Sequence, residues 1–144
     1  MKEYILVSEC LAGINCRYDG KNNKNEEIIK FIKENDVILV CPEQLGGLST
    51  PRIPAEILND KVIDKNAKDV TLNFEKGAVE ALSIAKLYNC KKAILKAKSP
   101  SCGSEMIYDG SHTGTLIKGA GFTCKLLKKN NIQIVNEDNF KSFL

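Results

Sequence analysis

The sequence predicts an α/β fold, a single-domain Rossmann-like three-layer sandwich built around a mostly parallel sheet. Short, continuous apolar runs alternate with amphipathic helical segments along the chain. Such runs are typical of parallel strands that are covered by helices on both faces. The length of 144 residues suits one domain with its own hydrophobic core. We therefore expect residues 1–144 to form a single α/β domain.

Four apolar runs supply the strands of this predicted sheet. They cover residues 4–7, 37–40, 93–95 and 132–135. Each run is bounded by polar, glycine or proline residues, which is typical of short buried strands.

Three helices are predicted between the strands, because apolar side chains recur there at helical spacing. They cover residues 25–35, 72–89 and 122–129. The intervening segments are expected to be less regular. Residues 41–54 read as a long loop, 55–70 as a short helical turn with a small extended excursion, and 109–121 as a glycine-punctuated loop.

Composition argues against several classes of protein. The hydrophobic fraction is 43% and the net charge only +3, without a run of basic residues. This pattern disfavours a dedicated nucleic-acid surface, so no DNA partner is expected. No apolar run reaches the roughly 18–20 residues that a membrane span needs, and no leader pattern is visible. We expect a cytoplasmic protein with no membrane partner.

Six cysteines are the most informative residues of the chain. In a reducing compartment they are better explained as metal ligands or packing residues than as disulfides. Cys90 and Cys124 fall at or within helical patterns and suit packing. Cys10, Cys41 and Cys102 each follow a predicted strand by a few residues. Because ligands collect at the carboxyl ends of parallel strands, these three are expected to meet at one edge of the sheet.

Three thiolates favour a soft metal. Zinc would usually take a fourth ligand such as histidine, and the only histidine, His112, lies in a polar loop where we expect it to be solvated. An iron–sulfur cluster with one open iron fits the three cysteines better, and an open iron suggests catalysis. Three unrelated buried thiols remain the alternative. Cys16 is open to three interpretations: a fourth ligand, a reactive thiol or a loop residue.

Four short motifs give the chain a recognisable signature. They are Ser-Glu-Cys-Leu-Ala-Gly with Arg-Tyr-Asp-Gly in 8–20, Cys-Pro-Glu with Thr-Pro-Arg-Ile-Pro in 41–54, Ser-Pro-Ser-Cys-Gly at 99–103, and Tyr-Asp-Gly at 108–110. In this order and at these distances they resemble the thiouracil desulfidase-like family, over residues 4–136. One departure is Ala12, where the family usually has a bulkier leucine.

The resemblance implies a 4Fe–4S cluster on Cys10, Cys41 and Cys102. It implies removal of sulfur from a thiolated pyrimidine such as thiouracil, giving uracil and sulfide by hydrolytic C–S cleavage without net redox change. The acid–base carboxylate falls on Glu43, and the helper serine on Ser99 or Ser101. A cluster with an open iron is oxygen-labile, so it is expected to be lost from protein prepared in air.

The substrate contacts are less defined. Arg52 and Arg17 are candidates to bind pyrimidine carbonyls or a phosphate, and each is alternatively an ion-pair residue. Tyr18 and Asp19 belong to a Tyr-Asp-Gly tripeptide that recurs at 108–110, which suggests either a shared role in the pocket or two similar turns.

Relatives that act on transfer RNA carry an extra C-terminal domain, and this chain ends at Leu144. The expected partner is therefore a small-molecule thiolated base or nucleoside, with transfer RNA less favoured and the oligomeric state open. Two alternative functions remain at this stage. One is a small-ligand or nucleotide-binding module, and the other is a structural zinc protein.

Overall fold

The computed structural model describes residues 2–144 as eight strands and four α-helices. The strands are β1 (Ile5–Ser8), β2 (Val37–Val40), β3 (Ala55–Leu58), β4 (Lys61–Asp64), β5 (Lys92–Ile94), β6 (Met106–Tyr108), β7 (Leu116–Lys118) and β8 (Gln133–Val135). The helices are α1 (Glu26–Glu34), α2 (Pro42–Leu45), α3 (Thr71–Leu87) and α4 (Phe122–Lys129). Short 3₁₀ turns follow β1 at Glu9–Ala12 and end the chain at Phe140–Phe143.

A parallel sheet with the order β2-β1-β5-β8 forms the centre of the molecule. Its strands coincide with the four apolar runs of the sequence, and the predicted α/β fold with a mostly parallel sheet is confirmed. Because all four strands run the same way, their carboxyl ends lie along one edge of the sheet. Among residues 2–144, no helix is both long and apolar enough to cross a membrane.

Helices and turns cover both faces of this sheet, which gives the three layers. Adjacent strand residues point to opposite faces. Leu6 packs with residues of α3 and α4 such as Ala85 and Leu127. Val7, on the other face, packs with Phe31 of α1 and with Phe140 of the last turn.

Two antiparallel hairpins, β3–β4 and β6–β7, lie outside the main sheet. The expectation of a helical turn within 55–70 was wrong, and so was the expectation of a plain loop throughout 109–121. The first hairpin turns at Asn59 and Asp60, which both have positive φ angles of 50° and 63°. Asparagine and aspartate tolerate this conformation, which two-residue hairpin turns require.

Helix α2 packs directly against α3 through two glycines. A Cβ atom on Gly46 would lie 2.0 Å from the carbonyl oxygen of Asn73, and one on Gly77 would lie 2.0 Å from that of Pro42. The Asn73 side-chain amide also donates to the Gly46 carbonyl at 2.9 Å. Gly77 interrupts the helical pattern in the sequence. Because it has no side chain, the backbone of α2 can approach the backbone of α3 this closely.

Candidate functional site

Three neighbouring strands bring three cysteines to one edge of the sheet. Cys10 lies in the 3₁₀ turn after β1, Cys41 lies between β2 and α2, and Cys102 lies in the loop after β5. All three line one open cavity of about 1080 Å³ at the carboxyl ends of the strands. The shared edge that the sequence predicts for these residues is thus observed.

Cys16 lies between two of these thiols and is only 2% exposed. Its backbone carbonyl accepts a hydrogen bond from the Cys41 thiol at 3.9 Å. Interaction with the thiols of Cys10 and Cys41, together with burial, raises the pKa of Cys16, so its thiol stays protonated. The structure thus describes Cys16 as a buried thiol beside two of the predicted ligands, and the choice among the three interpretations stays a prediction.

The pKa values of the two neighbouring cysteines, Cys10 and Cys41, shift in the opposite direction. The pKa of Cys10 is lowered, chiefly because the Cys16 thiol donates to it, although burial opposes the shift. The pKa of Cys41 is lowered to about 7, again chiefly by Cys16, with the charge of Arg52 contributing. Thiolates, and not thiols, are the metal-binding form of cysteine, so both residues are prepared to act as ligands.

Cys102 is set deeper, and burial raises the pKa of its thiol to about 12. Two hydroxyl groups oppose that shift. The Ser8 hydroxyl donates to the Cys102 sulfur at 3.4 Å, and the Ser101 hydroxyl oxygen lies 3.6 Å from the same sulfur. A bound metal deprotonates a coordinating thiol outright, and these donors would then stabilise the thiolate.

The donor set fits an iron–sulfur cluster. Cysteine thiolates hold such clusters, each through a separate iron. The chain offers three cysteines around one cavity, with serine and cysteine hydrogen-bond donors beside their sulfurs. Within residues 2–144, no three His, Cys, Asp or Glu side chains lie close enough together to ligate a single metal ion.

Glu43 faces the cysteines from the first turn of α2, two residues after Cys41. One of its oxygens, Oε1, accepts a hydrogen bond from the Ser101 hydroxyl at 3.0 Å and lies 3.5 Å from the Ser99 hydroxyl. The two serine hydroxyls are 2.9 Å apart. The carboxylate and both serines therefore form one connected group beside Cys102.

Ser99 is also fixed by the backbone. Its hydroxyl oxygen accepts the backbone N–H groups of Ser101 at 3.1 Å and Cys102 at 3.0 Å. These bonds shape the Ser-Pro-Ser turn so that both hydroxyls point to the carboxylate of Glu43.

Arg52 holds the other oxygen of Glu43. Its Nε donates to Glu43 Oε2 at 2.9 Å, and Nη2 pairs with the same oxygen at 2.6 Å. Nη2 also donates to the carbonyl of Cys16 at 2.8 Å, while Nη1 donates to Ser49 and Thr50. A guanidinium has five N–H donors, and Arg52 makes four hydrogen bonds in addition to the Nη2–Oε2 ion pair.

Arg17 and Tyr18 line the mouth of the cavity, whereas Asp19 does not line it. Arg17 Nε donates to Asp19 at 2.8 Å, and its guanidinium lies 5.9 Å from the centre of the Tyr18 ring. The Arg17 hydrogen bond is the main reason that the pKa of Asp19 is lowered to about 2. Tyr18 is 44% exposed and leaves its ring accessible.

Sequence reasoning did not single out Lys96, and it expected His112 to be solvated, yet both residues line this cavity. Lys96, two residues beyond β5, forms an ion pair with Glu137 at 2.9 Å. His112 lines the cavity, is bonded to the Ile63 carbonyl at 3.2 Å and lies 3.5 Å from Glu56. The expectation that His112 is solvated is therefore not met. The position of Lys96 directly after a strand was the signal that could have identified it.

Comparisons with known proteins agree on one family. A family model described as 2-thiouracil desulfurase matches residues 5–139. A protein of Bacillus subtilis (strain 168), the uncharacterized protein YbbK, is 41% identical over 97% of this chain and 99% of its own. A solved structure, described as the [4Fe-4S]-dependent thiouracil desulfidase TudS, is 39% identical with a TM-score of 0.92. It covers 98% of this chain and 95% of its own.

Proposed function

The chain belongs to the 2-thiouracil desulfurase family, and from this premise we propose that it is a 4Fe–4S-dependent desulfidase. It converts a thiolated pyrimidine such as thiouracil into uracil and hydrosulfide, with water as co-substrate and no net redox change. The convergence of Cys10, Cys41 and Cys102 on one cavity, beside the carboxylate of Glu43, carries this proposal.

We assign the three cysteines as cluster ligands, and this leaves one iron without a protein ligand. When bound, the cluster supplies a Lewis acid that is matched to the soft thiocarbonyl sulfur. Cys10 and Cys41 suit this role because their thiol pKa values are lowered. Cys16 is assigned as a hydrogen-bond donor to the ligands rather than as a ligand.

Glu43 is the proposed general base. Its Oε1 faces the serine pair, while its Oε2 is held by Arg52. In this orientation Oε1 can take a proton from the water that attacks the thiocarbonyl carbon. That proton is then passed to the departing sulfur, which leaves as hydrosulfide. The proton that remains on the added oxygen is lost to Glu43, and from there to solvent, as the carbonyl forms.

The serine pair completes the path of that proton. The Ser101 hydroxyl lies between Glu43 Oε1 and the Cys102 sulfur. Ser99 holds the Ser101 side chain in place through the 2.9 Å contact between the two hydroxyl groups. Both serines therefore orient the reacting water and carry a proton between the carboxylate and the region of the cysteine sulfurs.

A free base or nucleoside is the proposed substrate, in preference to transfer RNA. The cavity volume of about 1080 Å³ accommodates a molecule of that size. Tyr18 at its mouth offers a ring on which a pyrimidine can stack, and Arg17 lies beside it. We propose that the reaction takes place in the cytoplasm, because all six cysteines are free, as a reducing compartment favours.

Anaerobic purification followed by an assay of product tests this function. The protein should be coloured, contain iron and acid-labile sulfide, and convert 2-thiouracil into equal amounts of uracil and sulfide without added reductant. Air-exposed protein that has lost its iron is the control and should be inactive. Binding of thiouracil without conversion would support a binding module, and stoichiometric zinc in a colourless protein would support a structural zinc protein.

Arg52 is proposed as a positioning residue for Glu43, in place of the substrate contact suggested by the sequence. Lysine carries the charge but not the fork that holds the carboxylate. Arg52→Lys should therefore lower kcat about 10–100-fold, as expected when a reacting group is misplaced by about 1 Å, and leave KM nearly unchanged.

Steady-state kinetics on iron-loaded protein measure both constants for this variant. Arg17→Lys is the matched control, since Arg17 lies at the cavity mouth and any substrate contact it makes should appear in KM. A raised KM with unchanged kcat for Arg52→Lys would instead identify Arg52 as a residue that binds substrate.

A further inference from the structure

Lys96 is connected to the cysteine edge at both its backbone and its side chain. Its backbone N–H donates to the Ser8 hydroxyl at 3.0 Å, and that hydroxyl donates to the Cys102 sulfur. Its ammonium group donates to the Ala97 carbonyl at 3.0 Å, and Lys96 is one of the residues that line the cavity. Lys96 is therefore a cation at a defined place beside the proposed ligands.

Glu137 fixes this cation from the neighbouring strand. It lies two residues beyond β8, and its side chain is 14% exposed. One carboxylate oxygen accepts the Lys96 ammonium at 2.9 Å, and the other accepts the Ala97 N–H at 2.7 Å. Because Glu137 binds both the ammonium and the backbone, Lys96 has little freedom to turn toward solvent.

Lys96 is shielded from solvent at the edge of the cavity, because its side chain is only 24% exposed. Other lysines around the cavity, such as Lys65, Lys68 and Lys98, are exposed. Solvent and salt screen exposed charges more strongly than partly buried ones, so Lys96 has the stronger influence on the interior of the cavity.

We propose that Lys96, whose ammonium group is held by Glu137, is a counter-charge: it stabilises the negative charge brought into the cavity by the released hydrosulfide. This inference rests on the proposed function. Three thiolates and a hydrosulfide carry four negative charges, which the positive charge of the cluster irons offsets only in part. The negative charge that remains in a partly buried space is costly without a counter-charge. Lys96, which lines the cavity, supplies such a counter-charge, and the negative charge of Glu137 reduces its effect.

Two variants of the anaerobically loaded enzyme test this role by the sign of their effects. Lys96→Met removes a positive charge, so it should lower the midpoint potential of the cluster and weaken hydrosulfide binding about tenfold. Glu137→Gln removes a negative charge and keeps an oxygen that can accept the Ala97 N–H. It should raise the potential and tighten hydrosulfide binding. Redox titration and a visible-spectrum titration with sodium hydrosulfide measure the two quantities.

Lys91→Met is the matched control. Lys91 precedes β5 at the opposite end of the same strand and is exposed. The same change of charge there should leave both quantities unchanged, and Lys96→Arg should remain close to the wild type.

Shifts of the same sign in Lys96→Met and Glu137→Gln would indicate a merely structural pair and overturn the proposal. Equal behaviour of Lys96→Met and Lys91→Met would do the same. If Lys96→Met does not retain iron, the sign of the Glu137→Gln shift decides the question alone. A wild-type protein that takes up no cluster would overturn the proposed function itself, whereas a loaded wild type with unshifted variants would overturn only the role of Lys96.

Discussion

Serine in place of Cys10, Cys41 or Cys102 is expected to abolish both cluster binding and desulfidase activity. Each substitution removes one of only three proposed thiolate ligands, and a hydroxyl is a poor ligand for a soft iron site. The Cys16→Ser protein should instead hold about four irons, the content of a 4Fe–4S cluster. It should keep at least part of its activity, since a hydroxyl can replace the thiol as a hydrogen-bond donor. Iron and sulfide analysis after anaerobic reconstitution measures the difference.

Cys90→Ser provides the control for this series, because Cys90 is buried in the core and does not line the cavity. It should load normally. Iron loss in Cys16→Ser together with retention in one of the other three would show that the ligand set is misassigned. Equal loss in all four would indicate a fully ligated cluster, and an electron-transfer or scaffold role would then explain the site better.

Glu43→Gln is expected to lower turnover about 10²–10⁴-fold, the usual contribution of a positioned acid or base. Glutamine keeps the size of the side chain and one oxygen that can accept from Ser101 or Arg52, but it cannot take a proton from water. The visible spectrum and iron content should therefore be unchanged. Initial rates of uracil formation by the loaded variant measure the loss.

The control for Glu43→Gln is Glu80→Gln, an exposed change on α3 that should have the wild-type rate. Two results would contradict the assignment of Glu43. Loss of the cluster in Glu43→Gln would make the carboxylate structural or a ligand, and full activity would remove it from the mechanism.

The central sheet could be predicted from the sequence because its four strands are continuous apolar runs. The β3–β4 hairpin could not, since its strands include charged residues such as Glu56, Lys61 and Asp64 and are not continuous apolar runs. Pairing between β3 and β4 stabilises these strands. The Asn59-Asp60 pair was the available signal for that turn.

The position of the cysteines at one edge follows from strand order, so it could also be predicted. Contacts between side chains that are far apart in the sequence could not be predicted. Ser101 meets Glu43 across 58 positions of sequence, and Lys96 meets Glu137 across a comparable gap. The role of Arg52 was ambiguous for a similar reason, because only the folded chain shows that its guanidinium binds both the Glu43 carboxylate and the Cys16 carbonyl.

The contact between Gly46 and Gly77 means that helix α3 determines how far the carboxylate of Glu43, the proposed general base, stands from the sheet. Glu43 lies on α2, and at Gly46 and Gly77 the two backbones approach each other with no side chain of either glycine between them. A single methyl group at Gly77, on a helix remote from the substrate, would push α2 outward and shift Glu43 relative to Cys102. Efforts to broaden the substrate range should therefore vary the cavity mouth around Tyr18 and leave this helix pair as a fixed frame.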